Sequence, residues 1–228
     1  MTTPTNNTTD HIKAGVAAMT LEPAVECLWQ SLAADAAVPA MLLGPGARLL
    51  RITDGWKRIN PEATHARGPA AFSAGFWSER SAFVDRALAG AAPVRLIEMV
   101  RGVLLQTTFR PCSAIAIDAV LATSRLATAD GDKTDVIVSE HPDMGRLGDL
   151  TERELELLHH IGMGRSSEDA ARLMHRSTRT VEWHRASLGQ KLRCSNRVEL
   201  ARIAFDSGLT AVDIPFLVSL RRTVRSRG

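Results

Sequence analysis

The alternation of apolar and polar positions divides the chain into a first part of short strands and a second part of helices. Between Leu21 and Ala34, the apolar residues Ala24, Cys27, Leu28 and Leu32 recur at helical spacing. Val38–Leu43 then reads as a strand, Gly44-Pro45-Gly46 as a turn and Arg48–Ile52 as a second strand. Asp54–Ile59 is expected to be a short helix, and Glu79–Ala89 a longer one that Gly90 ends. Val94–Val100, Val103–Phe109 and Ala114–Ala122 are three further strand-like runs. These elements predict an α+β domain over residues 21–125, an antiparallel sheet with helices. It is preceded by a disordered, Thr- and Asn-rich arm over residues 1–20. The Asp, Gly and Pro content of TADGDKTD and EHPDMGR marks residues 126–146 as a linker. No internal repeat is present.

From Leu150 the pattern becomes helical, with a start and stop signal for each helix. Thr151 and Glu154 form a T-x-x-E capping box, with Leu150 and Leu155 at the two positions of a hydrophobic staple. The first helix buries Leu155, Leu158 and Ile161 and stops at Gly162 or Gly164. Ser166 with Asp169 caps a second helix, whose inner face is expected to be Ala170, Leu173 and Met174. After a turn of only His175-Arg176, Ser177 caps a third helix with Val181, His184, Leu188 and Leu192 inward. Asn196 with Glu199 caps a fourth that ends at Gly208, and residues 211–228 read as a basic tail.

Charge changes this picture from a bundle to a binding module. The net charge is +3, but residues 1–141 hold 13 Lys/Arg against 14 Asp/Glu, whereas residues 142–228 hold 15 against 11. Within Arg172–Arg202 there are 8 basic and 2 acidic residues, a concentration suited to a polyanion. The outward stripe of the third helix is Arg179, Glu182, Trp183, Ala186 and Gln190. A tryptophan there is costly to expose unless something covers it. Four capped helices with a tight turn between the second and third make a helix-turn-helix, and a major groove admits such a helix.

Residues 150–209 resemble a LuxR-type helix-turn-helix. The resemblance lies in Leu150-Thr151, Arg153-Glu154, Ala171, Ser177, Thr180-Val181, His184, Lys191-Leu192, Arg197 and Gly208-Leu209. It implies a DNA-binding domain over 147–210 with a recognition helix near Thr178–Lys191. It also implies dimerisation through the fourth helix, for which Val198, Ala201 and Phe205 are the candidates. Arg179, Glu182, Trp183 and Ala186 are candidate base contacts; Thr180, Arg185, Lys191 and Arg193 are candidate phosphate contacts. Ala170, Arg176, Glu182 and Trp183 depart from the family's usual residues. Glu182 facing a groove would accept from a cytosine amino group but be repelled by phosphate. The order of elements in residues 21–125 resembles a PAS sensor domain. That implies an unidentified small-molecule or protein signal and, with the helix-turn-helix, a one-component transcriptional regulator.

Other chemistry finds little support. His159 and His160 are adjacent, so they point apart, and no H-x-x-x-H pair or Cys spacing suits a metal. No nucleophile–base pair suggests an enzyme, and no phosphate-cradling glycine loop or flavin cysteine motif occurs, so no cofactor is expected. His65 and Cys112 read as structural, and Phe72, Phe76, Trp77 and Phe83 as core or the lining of a small pocket. Cys27, Cys112 and Cys194, an odd and scattered set, fit a reducing cytoplasm, and no apolar run reaches membrane-spanning length. Glu182 and Trp183 also keep open another class of function. In that reading the protein is a sensory adaptor whose helix-turn-helix binds protein.

Overall fold

The computed structural model describes residues 23–34, 38–63, 68–90, 93–112, 118–128 and 136–225. The expected N-terminal arm, 1–20, and His65 lie outside them. The elements are α1 (Pro23–Ala34), β1 (Ala40–Gly44), β2 (Arg48–Ile52), α2 (Ala74–Leu88), β3 (Val94–Val100), β4 (Val103–Pro111), β5 (Val120–Leu126) and β6 (Val136–Val138). Five helices follow: α3 (Glu152–Gly162), α4 (Ser167–Leu173), α5 (Thr178–Leu192), α6 (Arg197–Asp206) and α7 (Ile214–Arg225). The strands lie in the order β2-β1-β5-β4-β3-β6.

The sheet is mixed rather than wholly antiparallel. β1 pairs antiparallel with β2 and β5, whereas β6 pairs parallel with β3, Leu96 opposite Ile137. β6 falls inside the segment whose composition reads as a linker. Three residues are too short for a periodic signal, and their pairing with a distant strand leaves no local trace. β5 starts at Val120, later than the expected Ala114, and residues 113–117 lie outside the described set. Asp54–Arg58 is a 3-10 helix. α2 starts at Ala74, ahead of the expected Glu79, because Ser73 caps it by accepting from the Phe76 N–H.

The chain divides into two compact units, Met1–Val94 with Thr108–Thr123, and Arg95–Thr107 with Ser124–Gly228. In the first, Trp29 of α1 packs with Leu42, Leu50 and Ala119. Trp56, Phe72, Phe76 and Trp77 form a cluster of edge and stacked ring contacts, and the buried Arg80 guanidinium lies 3.2 Å from the centre of the Phe76 ring.

In the second unit one core joins Met99, Leu104 and Ala127 to the inner faces of α3–α7. The Leu104 N–H donates to Ser207 O at 2.9 Å. Gly208, at φ +68°, ends α6 where an added Cβ would lie 3.1 Å from Leu104 O. At Gly162 an added Cβ would come within 2.5 Å of Ala204 Cβ, so glycine permits α3 and α6 to cross closely. The expected basic tail contains α7. Asp213 accepts from the Phe216 N–H at its start, Leu217 and Leu220 enter the core, and buried Arg221 donates to Leu150 O. Of the inner face expected for α4, Ala170 and Met174 are buried, whereas Leu173 is 47% exposed.

Candidate nucleic-acid interface

Each helix of the C-terminal unit begins where its cap stands in the sequence. Thr151 and Glu154 make both bonds of the capping box, Ser166 accepts from Asp169 N–H, Ser177 from Thr180 N–H, and Asn196 from Glu199 N–H. Between α4 and α5 the chain reverses through His175, at φ +52°. Val181, Leu188 and Leu192 then anchor α5, with His184 half-buried beside them. This fixes which face of α5 turns outward. Arg179, Ala186 and Gln190 are exposed, and Trp183 is 67% exposed with its ring edge-on to His184.

The charged candidates are less free than their spacing suggests. Glu182 accepts from Ser167 Oγ of α4 and, at 2.7 Å, from Arg185 Nε. Those two bonds, Ser167 first, hold its carboxyl below the usual carboxylate range. Lys191 Nζ donates to Glu154 Oε2 at 2.7 Å and to Asp149 O at 3.1 Å. Thr180 is half-buried, its hydroxyl 2.8 Å from Ser177 Oγ, and Arg193 is exposed at the left-handed C-cap of α5. The fold therefore gathers Arg179, Trp183 and Ala186 on one open face, ties Glu182 to Arg185 at its flank, and turns Lys191 toward the cap of α3. Ser167, Ser187 and Glu154 hold these charges through partners 15 to 37 residues away in sequence, which no local spacing reveals.

On α6, Val198 is 77% and Phe205 67% exposed, with half-buried Ala201 between them and an Arg202–Asp206 ion pair alongside. One turn separates successive members of this apolar stripe. In α3 the adjacent His159 and His160, expected to point apart, are both buried. His159 Nε2 lies 3.1 Å from Val212 O, and neither ring nitrogen of His160 has a hydrogen-bond partner among the described residues. Among those residues no cluster of three or more His, Cys, Asp or Glu is placed to hold a metal, and no helix is long and apolar enough to cross a membrane.

Residues 149–204 match the model of the bacterial regulatory proteins, luxR family, so this segment is a LuxR-type helix-turn-helix. A stretch of 62 residues is 42% identical to the transcriptional regulatory protein UhpA of Escherichia coli (strain K12), covering 27% of this chain and 32% of that protein. The chain thus spans about a third of the length of that curated relative. Among solved structures, the phage VqmA–DPO complex aligns with a TM-score of 0.39 at 16% identity, over 85% of this chain and 95% of that one. The Vibrio cholera VqmA–ligand–DNA complex aligns with a TM-score of 0.38 at 16% identity, over 87% and 93%.

Proposed function

We propose that this protein is a transcriptional regulator that binds duplex DNA by laying α5 in the major groove. The observation that carries this reading is the open face of α5. Arg179, Trp183 and Ala186 project from a helix whose opposite side is locked into the core, and Trp183 is 67% exposed. Base edges would meet that face, with a thymine methyl as the natural contact for the tryptophan ring. Arg185, Arg193 and the α5 cap would meet the phosphates, which supply most of the affinity without reading sequence. Two copies would pair through Val198, Ala201 and Phe205 of α6, so that paired half-sites follow the two-fold symmetry of the protein. The first unit, with its aromatic cluster around a buried guanidinium, would receive the signal, as a PAS-like sensor does. No bond-making chemistry is required.

Selection of bound duplexes from a random pool by the full chain tests this. Enrichment of a two-fold symmetric motif, bound with affinity that falls steeply with salt, is the expected result. The exposed Trp183 beside an acidic residue favours a second reading, a protein-binding adaptor. Failure to retain any duplex at low salt would decide for the adaptor.

A further inference from the structure

Ser167 is the first residue of α4, directly after the cap Ser166, so its hydroxyl is not needed to satisfy the helix terminus. It donates instead to Glu182 Oε1, 15 residues on in α5. The other oxygen of the same carboxylate, Oε2, accepts from Arg185 Nε at 2.7 Å and lies 2.7 Å from Nη2. One carboxylate therefore links the two helices of the helix-turn-helix and holds one edge of a guanidinium fork. No further hydrogen bond of Arg185 is found among the described residues, and its side chain is 39% exposed.

We propose that Ser167, acting through Glu182, positions Arg185 for a bidentate contact with a DNA phosphate. The inference rests on the duplex-binding reading above. A guanidinium has five N–H donors in a rigid plane, so engaging Nε and one Nη2 proton leaves the Nη1–Nη2 edge to grip two oxygens of one phosphate. A free surface arginine loses rotamer freedom on binding, and one already held by Glu182 loses less. The relay also accounts for an acidic residue on a DNA-facing helix. Its two oxygens are taken up by Arg185 and by the Ser167 hydroxyl. Ser167 and Glu182 are positioning residues; Arg185 makes the contact.

The test uses the full chain with Ser167→Ala, Ser167→Thr, Arg185→Ala and the Ser167→Ala/Arg185→Ala pair. Binding is read by fluorescence anisotropy on a selected duplex and on shuffled ones. Ser167→Ala keeps the Ser166 cap and places a good helix former in the first turn, so folding is retained. It is expected to weaken binding about three- to tenfold on every duplex, the scale of one net hydrogen bond. Ser167→Thr restores binding, and Ser167→Ala has no further effect once Arg185 is alanine. Equal losses in both backgrounds, no loss at all, or a loss confined to one base position would overturn the relay. Without DNA, NMR should find slow exchange of the Arg185 Nε–H that becomes fast in Ser167→Ala, and unchanged exchange overturns it too. If the unmodified chain retains no duplex, duplex binding itself fails, before any variant is compared.

Discussion

Burial works against ionising Glu154, yet hydrogen bonds from Lys191, Ser187 and Thr151 outweigh it and hold the carboxyl at a pKa of about 2. Its depressed pKa contributes stability that is present above the ordinary value of 4.5 and is lost as pH falls toward 2. Lys191 is the partner that makes this tolerable, since its side chain is 33% exposed against 3% for Glu154. Lys191→Ala is therefore expected to act first on stability. The cost is about 1–3 kcal/mol, between that of exposed and fully buried pairs, read as a lower unfolding midpoint at pH 7. Adding Glu154→Gln should recover part of it, because an uncharged amide leaves no orphan charge. A Lys191→Ala protein that unfolds normally but binds DNA less tightly would return Lys191 to the phosphate contacts that its place on α5 suggests.

At the scale of elements, legibility depended on how local the cause was. The caps Thr151, Ser166, Ser177 and Asn196 each act on a backbone group three residues away, and each stands where the sequence put it. α7 carried the same kind of signal in Asp213 followed by Ile214, Leu217 and Leu220, but the arginines around it read more loudly as a tail. β6 and the exposure of Leu173 depend on which distant surface is covered, which no window of sequence contains. The open face of α5 was legible as a stripe, whereas the binding of Glu182 by Ser167 was not. The stripe on α6 yields a prediction at this scale. Phe205→Asp, at a position 67% exposed, should leave the unfolding midpoint nearly unchanged but abolish dimer formation on a paired site in light scattering. A dimer that survives both Phe205→Asp and Val198→Asp would move the interface off α6.

The second unit as a whole is joined by groups that reach across it. His159 meets Val212 O just ahead of α7, and burial, the largest influence, lowers the pKa of both His159 and His160 below 6.5. Arg165 lowers both further, while Glu156, and for His159 also Val212 O and Asp213, act in the opposite direction. A base held neutral by burial contributes stability that is full above its unfolded pKa and is lost as pH falls below it through the depressed folded value. The unfolding midpoint should therefore drop between about pH 7 and 5. His160→Leu should flatten that slope, and an unchanged slope would show that His160 takes up its proton alike in the folded and the unfolded chain.

The same unit includes strand residues that precede the composition-marked linker. Met99 and Leu104 lie in one core with Leu157, Ala204, Leu209 and Leu217, and Leu104 N–H closes the end of α6 through Ser207 O. A helix-turn-helix cut away at residues 126–146 would lose that hydrogen bond and expose the apolar side chains that Met99 and Leu104 cover. Burying a side chain of that size contributes about 1.5–3 kcal/mol, a large part of the stability of a small helical module. Residues 147–228 made alone are thus expected to unfold at a markedly lower temperature than the same helices in the full chain. After limited proteolysis within 126–146, the two pieces should elute together in gel filtration under native conditions and separate only in denaturant. A C-terminal fragment that leaves the column alone, with an unfolding midpoint matching that of the helices in the intact protein, would show that residues 147–228 fold without the strands.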